Sequence, residues 1–299
     1  MGSFSHIRSA AKSDVGRKRK NNEDAVGAWP NFGLFCIADG MGGGDDGEIA
    51  SSAIVRGLDG IAASIAPRRG GAHEHSAVLG LISQAINAVS AWIYERAVRR
   101  QLKGCGSTFV GICFDAANPS AAKALHAGDS RLYRFRAGDV EQLTKDHSVA
   151  AMIGAKDEKE INPMFRGMIL RAVGVSRSVD LEMTSVEVKE DDLYVLCSDG
   201  LYRMIVEKRM AELVNASTDV DAIATALVDA ANEAGGIDNV SVVVLRVGKL
   251  PPPLEIDSSL PLPQIGSFSF SEEDVKSSPA EKSRVSVHST LAWIRKIVP

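Results

Sequence analysis

Three aspartates stand where a strand-like apolar run stops and a turn begins: Asp39 before Gly40, Asp199 before Gly200, and Asp238 before Asn239. A carboxylate beside a core is costly unless it is paired or holds a cation. Several converging on one end of a sheet would repel one another without positive charge between them. With oxygen donors alone and no His or Cys cluster, the cation this pattern suits is Mg2+ or Mn2+ rather than zinc. A glycine after the aspartate lets the backbone come close and offer its own carbonyl oxygen. A single Asp-Gly is ordinarily a turn; three, each after an apolar strand, form a pattern.

A second group runs from Asp14 through Arg17-Lys18-Arg19-Lys20 to Glu23-Asp24. Standing alone it reads as a solvated basic loop capped by acids. Beside the aspartates it offers an arginine whose planar fork grips phosphate, and acids that complete a metal shell. Phosphate-ester hydrolysis needs both parts. Two ions about 3.5–4 Å apart supply hydroxide at neutral pH and offset phosphoryl charge, so no nucleophilic side chain is required.

The elements that must position these residues follow from periodicity. A continuous apolar run over 33–38 predicts a buried strand leading to Asp39. Apolar residues at helical spacing predict helices over 48–66 and 76–100, which should pack side by side on a sheet. Strands follow over 107–114, 123–126 and 130–135, and 145–170 reads as an irregular excursion. The run 193–197 is a buried strand delivering Asp199; helices over 206–215 and 219–234 precede Asp238 and a last core strand at 240–247. After Lys249 prolines and serines dominate, so residues 1–248 are expected to form one domain. Residues 249–299 read as a linker and tail, with a short amphipathic stretch near 286–299.

Thirty-four basic against 38 acidic residues give a formal net charge of −4, unsuited to a duplex nucleic-acid binder. Cys36, Cys105, Cys113 and Cys197 lie without CxxC spacing in apolar runs, and are expected to be small buried hydrophobes in a reducing cytoplasm. No apolar core of a signal peptide stands near the N-terminus. No apolar stretch is read as reaching the roughly 18 residues a membrane span needs. A soluble cytoplasmic protein is the expectation.

The order of short motifs resembles the type 2C family of metal-dependent Ser/Thr protein phosphatases, bacterial stand-alone type, over residues 9–247. Carrying it are Ser13-Asp14-Val15-Gly16, Arg19, Asn22-Glu23-Asp24-Ala25, Ala38-Asp39-Gly40-Met41-Gly42-Gly43 and Gly47-Glu48. Gly106-Ser107-Thr108, Ala127-Gly128-Asp129-Ser130-Arg131, Leu143-Thr144-Lys145-Asp146-His147-Ser148 and Leu170-Arg171-Ala172-Val173-Gly174 follow. Leu196-Cys197-Ser198-Asp199-Gly200 and Gly235-Gly236-Ile237-Asp238-Asn239 close the set. Each motif is weak alone; their shared order is specific.

The resemblance implies an α+β fold, a four-layer α-β-β-α sandwich with two central antiparallel sheets. It implies hydrolysis of phosphoserine and phosphothreonine in proteins, in the pathway of a bacterial Ser/Thr kinase, by a monomer needing two Mn2+ or Mg2+ ions. It makes Asp39 the bridge between the ions, with the Gly40 carbonyl on one of them. Asp199 and Asp238 complete one shell, Glu23 serves the other, and Asp129 a third, weaker site. Arg19 grips phosphate, with Arg17 as its neighbour, and Asp24 orients water or that arginine. Two departures stand out: Gly44 replaces a family histidine, and the flap segment 146–170 is short. His147 reads as a structural histidine at the flap base, His73 and His75 as surface-loop residues, and Ser198 not as a nucleophile. The non-catalytic alternative is a phosphoprotein-binding pseudophosphatase, whose signature would be loss of a metal aspartate; none is lost.

Overall fold

In a computed structural model of the chain, residues 4–43, 45–65, 72–155, 161–257 and 262 are described. Gly44 and the 286–299 segment, on which two expectations rest, lie outside them. The continuous apolar runs have a single cause: both faces of these strands are covered. In β3 (Leu34–Met41), Leu34, Cys36 and Ala38 face one core while Phe35 and Ile37 face another. In β10 (Leu193–Cys197), Leu193, Val195 and Cys197 face a third core, and Tyr194 and Leu196 share the second. Side chains alternating every second residue therefore define three apolar layers between four layers of structure.

One sheet has the order β1-β11-β10-β7-β8, where β1 is Ile7–Asp14, β11 Val240–Val247, β7 Arg131–Arg136 and β8 Asp139–Gln142. The other runs β2-β3-β5-β6-β9, with β2 Asp24–Trp29, β5 Phe109–Phe114, β6 Ala121–Ala127 and β9 Glu182–Glu187; the two-residue β4 (Gly106–Ser107) pairs with the end of β3. All pairings are antiparallel. Phe35, Val110, Ile112, Tyr194, Val243 and Leu245 are fully buried between the sheets. Helices α1 (Asp45–Ile65) and α2 (His75–Arg100) cover one outer face. Helices α4 (Asp199–Tyr202), α5 (Glu207–Asn215) and α6 (Val220–Glu233) cover the other, and the five-residue α3 (Val149–Ile153) belongs to the excursion. The four-layer α-β-β-α sandwich is the fold.

Three readings change. By length and mean hydropathy (1.4), α2 is apolar enough to cross a membrane, although no uninterrupted run reveals it; half of that stretch is buried inside the fold. His75 is not in a loop but opens α2, with Nδ1 3.6 Å from Asp115. The chain also does not leave the domain at 248: Leu250 packs against the inter-sheet core, and Ala72 donates to Glu255 O and bridges Ile256.

Candidate metal centre

The acids meet on the seam between the sheets. Asp24 opens β2 and lies in register opposite Asp39 on β3. From the other sheet come Asp199, where β10 turns into α4, and Asp238, just ahead of β11. Asp129 sits in the turn between β6 and β7. The backbone of Asp39 is pinned: its N–H donates to Thr108 Oγ1 (3.0 Å), and its carbonyl accepts from Thr108 N (2.9 Å) and Ser107 Oγ (3.0 Å).

Burial, then the charges of Asp24, Asp199, Asp129 and Asp238, hold the Asp39 carboxyl well above the ordinary carboxylate range. Burial pushes Asp24 up to about 6 against hydrogen bonds from Ser241 and Ser198, and Asp199 up to about 7 against the pull of Arg203. Asp24 Oδ1 and Asp199 Oδ1 are buried without a hydrogen-bond partner. Clustered carboxylates with unsatisfied buried oxygens and no soft ligand among them match the donor chemistry of hard divalent cations.

Glu23 joins this cluster through two glycines. A Cβ on Gly40 would lie 2.1 Å from the Gly47 carbonyl oxygen, and one on Gly47 would lie 2.0 Å from Glu23 Oε2. Only glycine permits that approach. Glu23 is held from behind by Asn239, a buried amide with all its capacity engaged. Asn239 Oδ1 accepts the Glu23 N–H, and its Nδ2 donates to Val15 O and Asn21 O, each at 2.9 Å. Of the two arginines, Arg19 reaches the acids: its Nη2 donates to Asp238 Oδ2 at 2.7 Å. Arg17 lies 3.9 Å from Asp14 instead.

Asp24 is positioned by Ser198, whose Oγ donates to Asp24 Oδ2 at 2.8 Å and accepts from Ser241 N at 3.0 Å. That serine is thereby locked as a support. Motif reading missed Asn239 and Ser198 as positioning groups, and missed Arg203, whose Nε lies 3.2 Å from Asp199 Oδ2 and Nη2 3.7 Å from Asp129 Oδ2. The i,i+4 spacing of Asp199 and Arg203 at a helix start was a usable signal. Tyr202 also donates to Asp129 Oδ2 (3.3 Å), and Arg131, forked onto Asp146, lies 3.6 Å above the Tyr202 ring. Asp46 is drawn away, to the buried Arg96 at 2.7 Å.

His126, His147 and Glu182 bring three ligand atoms within 4.8 Å of one another at the base of the excursion. The two rings are stacked, centroids 4.4 Å apart and planes 10° from parallel. In-plane lone pairs of parallel rings cannot converge on one ion. His147 Nδ1 already accepts the Gly128 N–H (3.2 Å), which leaves Nε2 as donor to Glu182 (3.1 Å). The group is a structural clamp, as His147 was expected to be. His147 and Glu182 line a cavity of about 300 Å3 together with Lys145, Met152 and Leu170. All four cysteines are buried and free, and burial pushes the Cys113 and Cys197 thiols up to about 12.

Residues 15–235 match the family described as Protein phosphatase 2C. The Ser/Thr protein phosphatase PstP of Mycobacterium tuberculosis is 33% identical over 248 residues, which cover 81% of this chain and 45% of that protein. The chain thus spans about half the length of that relative. Among solved structures, PppA, described as a key regulatory component of T6SS in Pseudomonas aeruginosa, superposes with a TM-score of 0.72 at 32% identity, over 82% of this chain and 99% of PppA. A catalytic domain of PstP in complex with two manganese ions gives 0.67 at 33%, over 81% and 99%. A family match that runs from the Asp14 turn to the Gly235 turn, on a sandwich shared with these structures, leaves one placement: the chain belongs to the protein phosphatase 2C family.

Proposed function

We propose that the protein hydrolyses phosphoserine and phosphothreonine in phosphorylated proteins, using two Mn2+ or Mg2+ ions held on the sheet seam. The observation that carries this is the convergence of Asp24, Asp39, Asp199 and Asp238 from two sheets, with buried oxygens left unpartnered. Ions bound there would offset phosphoryl charge and acidify a water. Glu23, Asp39 and the Gly40 carbonyl would hold one ion, and Asp39, Asp199 and Asp238 the other. Asp129 would serve a third, weaker position, since it shares its carboxylate with Arg203 and Tyr202. Arg19, half exposed, holds the phosphoryl oxygens, and Asp24, fixed by Ser198, orients the attacking water. The pseudophosphatase reading requires a missing acid, and every acid is in place.

The catalytic unit is taken as residues 1–248 with the docked 250–257 segment, followed by a tail. A monomer acting in the cytoplasm against a Ser/Thr kinase is the setting that suits it. The test is phosphate release from a phosphothreonine peptide by EDTA-treated protein. Release should require added Mn2+ or Mg2+, and Asp39→Asn should abolish it. Turnover that persists in chelator would refute the assignment.

A further inference from the structure

Residues 17–20, Arg-Lys-Arg-Lys, are four consecutive exposed cations in a chain of formal net charge −4. Their backbone is held at both ends. Arg17 N–H donates to Gly236 O at 2.7 Å, and Asn239 ties down Val15 O and Asn21 O. At Gly16 the loop comes so near the Asp238 carbonyl that a Cβ would lie 2.2 Å from its oxygen. Arg19 is committed to the acid cluster. Lys18 and Lys20 flank it, with Cα atoms about 3.8 Å along the chain on either side. Among the described residues neither lysine has an acidic partner. With Arg17 near Asp14 and Arg19 on Asp238, the charge left without an acid on this fixed loop is that of Lys18 and Lys20, and an anionic partner would complement it.

We infer that this loop is a recognition surface for acidic side chains flanking the phosphorylated residue of a protein substrate. The inference rests on the phosphatase reading above and deepens it. A long polyanion is the poorer occupant, because the patch is only four residues long. A short acidic segment instead meets Lys18 and Lys20 while its phosphoryl group lies against Arg19.

The experiment uses the full chain in Mn2+ and phosphothreonine peptides of equal length with acidic, neutral or basic flanks. Acidic flanks should raise kcat/KM, chiefly through KM, by about threefold for each exposed charge paired. That preference should shrink as salt rises from about 0.05 to 0.5 M. The double variant Lys18→Ala/Lys20→Ala should bring the acidic-to-neutral ratio near one, and Lys18→Arg/Lys20→Arg should keep it. Equal rates on acidic and neutral peptides, or a ratio unchanged in the double alanine variant, overturn the inference. So does retention on phosphatidylserine vesicles or duplex DNA without any peptide preference. If no peptide is hydrolysed at all, the phosphatase reading fails instead. Fluorescence anisotropy of the same peptides then decides the loop's role by itself.

Discussion

Replacing Asn239 by alanine removes three hydrogen bonds at a single buried point: Glu23 N–H to Oδ1, and Nδ2 to Val15 O and Asn21 O. At about 1 kcal/mol net for each bond, the loss is about 3 kcal/mol. The Glu23 N–H, left buried without an acceptor, adds about 1 kcal/mol more. For a domain of this size that lowers Tm by about 10 °C. Thermal and urea unfolding of EDTA-treated protein read this directly, free of stabilisation by bound ions. Asn239→Asp, which keeps the acceptor but sets a carboxylate against the Val15 and Asn21 carbonyls, should cost at least as much as alanine at neutral pH. Because Glu23 and Arg19 ride on the loop that Asn239 fastens, Mn2+ affinity measured by calorimetry should drop with stability. A destabilisation under about 1 kcal/mol, with unchanged Mn2+ affinity, would show that the loop is held by its other contacts and that the clamp is incidental.

Asp192, buried at the far end of β10, accepts from Arg136 Nε and Nη2, one edge of the guanidinium (2.6 and 2.7 Å), from Tyr194 Oη and from Lys189 N. Asp192→Leu leaves Arg136 only Glu187 as partner, through the carboxylate at 3.3 Å and the carbonyl at 2.9 Å, and takes the acceptor from Tyr194 Oη and Lys189 N; it should cost about 1–3 kcal/mol by urea unfolding. Burial raises the Asp192 carboxyl, but those donors more than offset it and hold it below the ordinary range. Its contribution to stability should therefore persist above pH about 4 and vanish only as pH falls below that. The seam acids have the opposite sign. Asp24 at about 6 and Asp199 at about 7 bind protons more tightly folded than unfolded. In EDTA, Tm should thus rise as pH is lowered from about 8 to 5, and a flat profile would refute the clustering. Asp39→Asn, which deletes one of the mutually repelling charges, should raise the Tm of the metal-free protein while abolishing metal-supported turnover.

The strands legible in the sequence were those buried on both faces. β3, β10 and β11 show themselves as unbroken apolar runs because one set of side chains meets the helices and the other the opposite sheet. β1, β2 and β9 gave no such run: Ile7–Asp14 and Glu182–Glu187 are sheet-edge strands, the first buried at only two positions and the second exposed at most, and Asp24–Trp29 holds a glycine in mid-strand. α2 was found as a helix by its spacing, yet its overall apolarity was hidden by interspersed polar residues. At the site, acids beside glycine could be read as a group, because each interrupts an apolar run. Ser198 and Asn239 could not, since what they do depends on which distant loop folds back against them. The 250–257 segment was misjudged because proline-rich composition resembles a linker whether or not an edge stands nearby to receive it.

The two halves of the candidate centre belong to different sheets, Asp24 and Asp39 to one and Asp199 and Asp238 to the other, and what sets their spacing is the layer of Phe35, Ile112, Tyr194 and Val243 between them. A small sliding of one sheet over the other would leave each half intact and spoil their alignment. Trimming an apolar side chain in that middle layer, such as Ile112 or Val243, should therefore harm ion binding sooner than it harms folding, whereas trimming the outer layers under the helices should do the reverse.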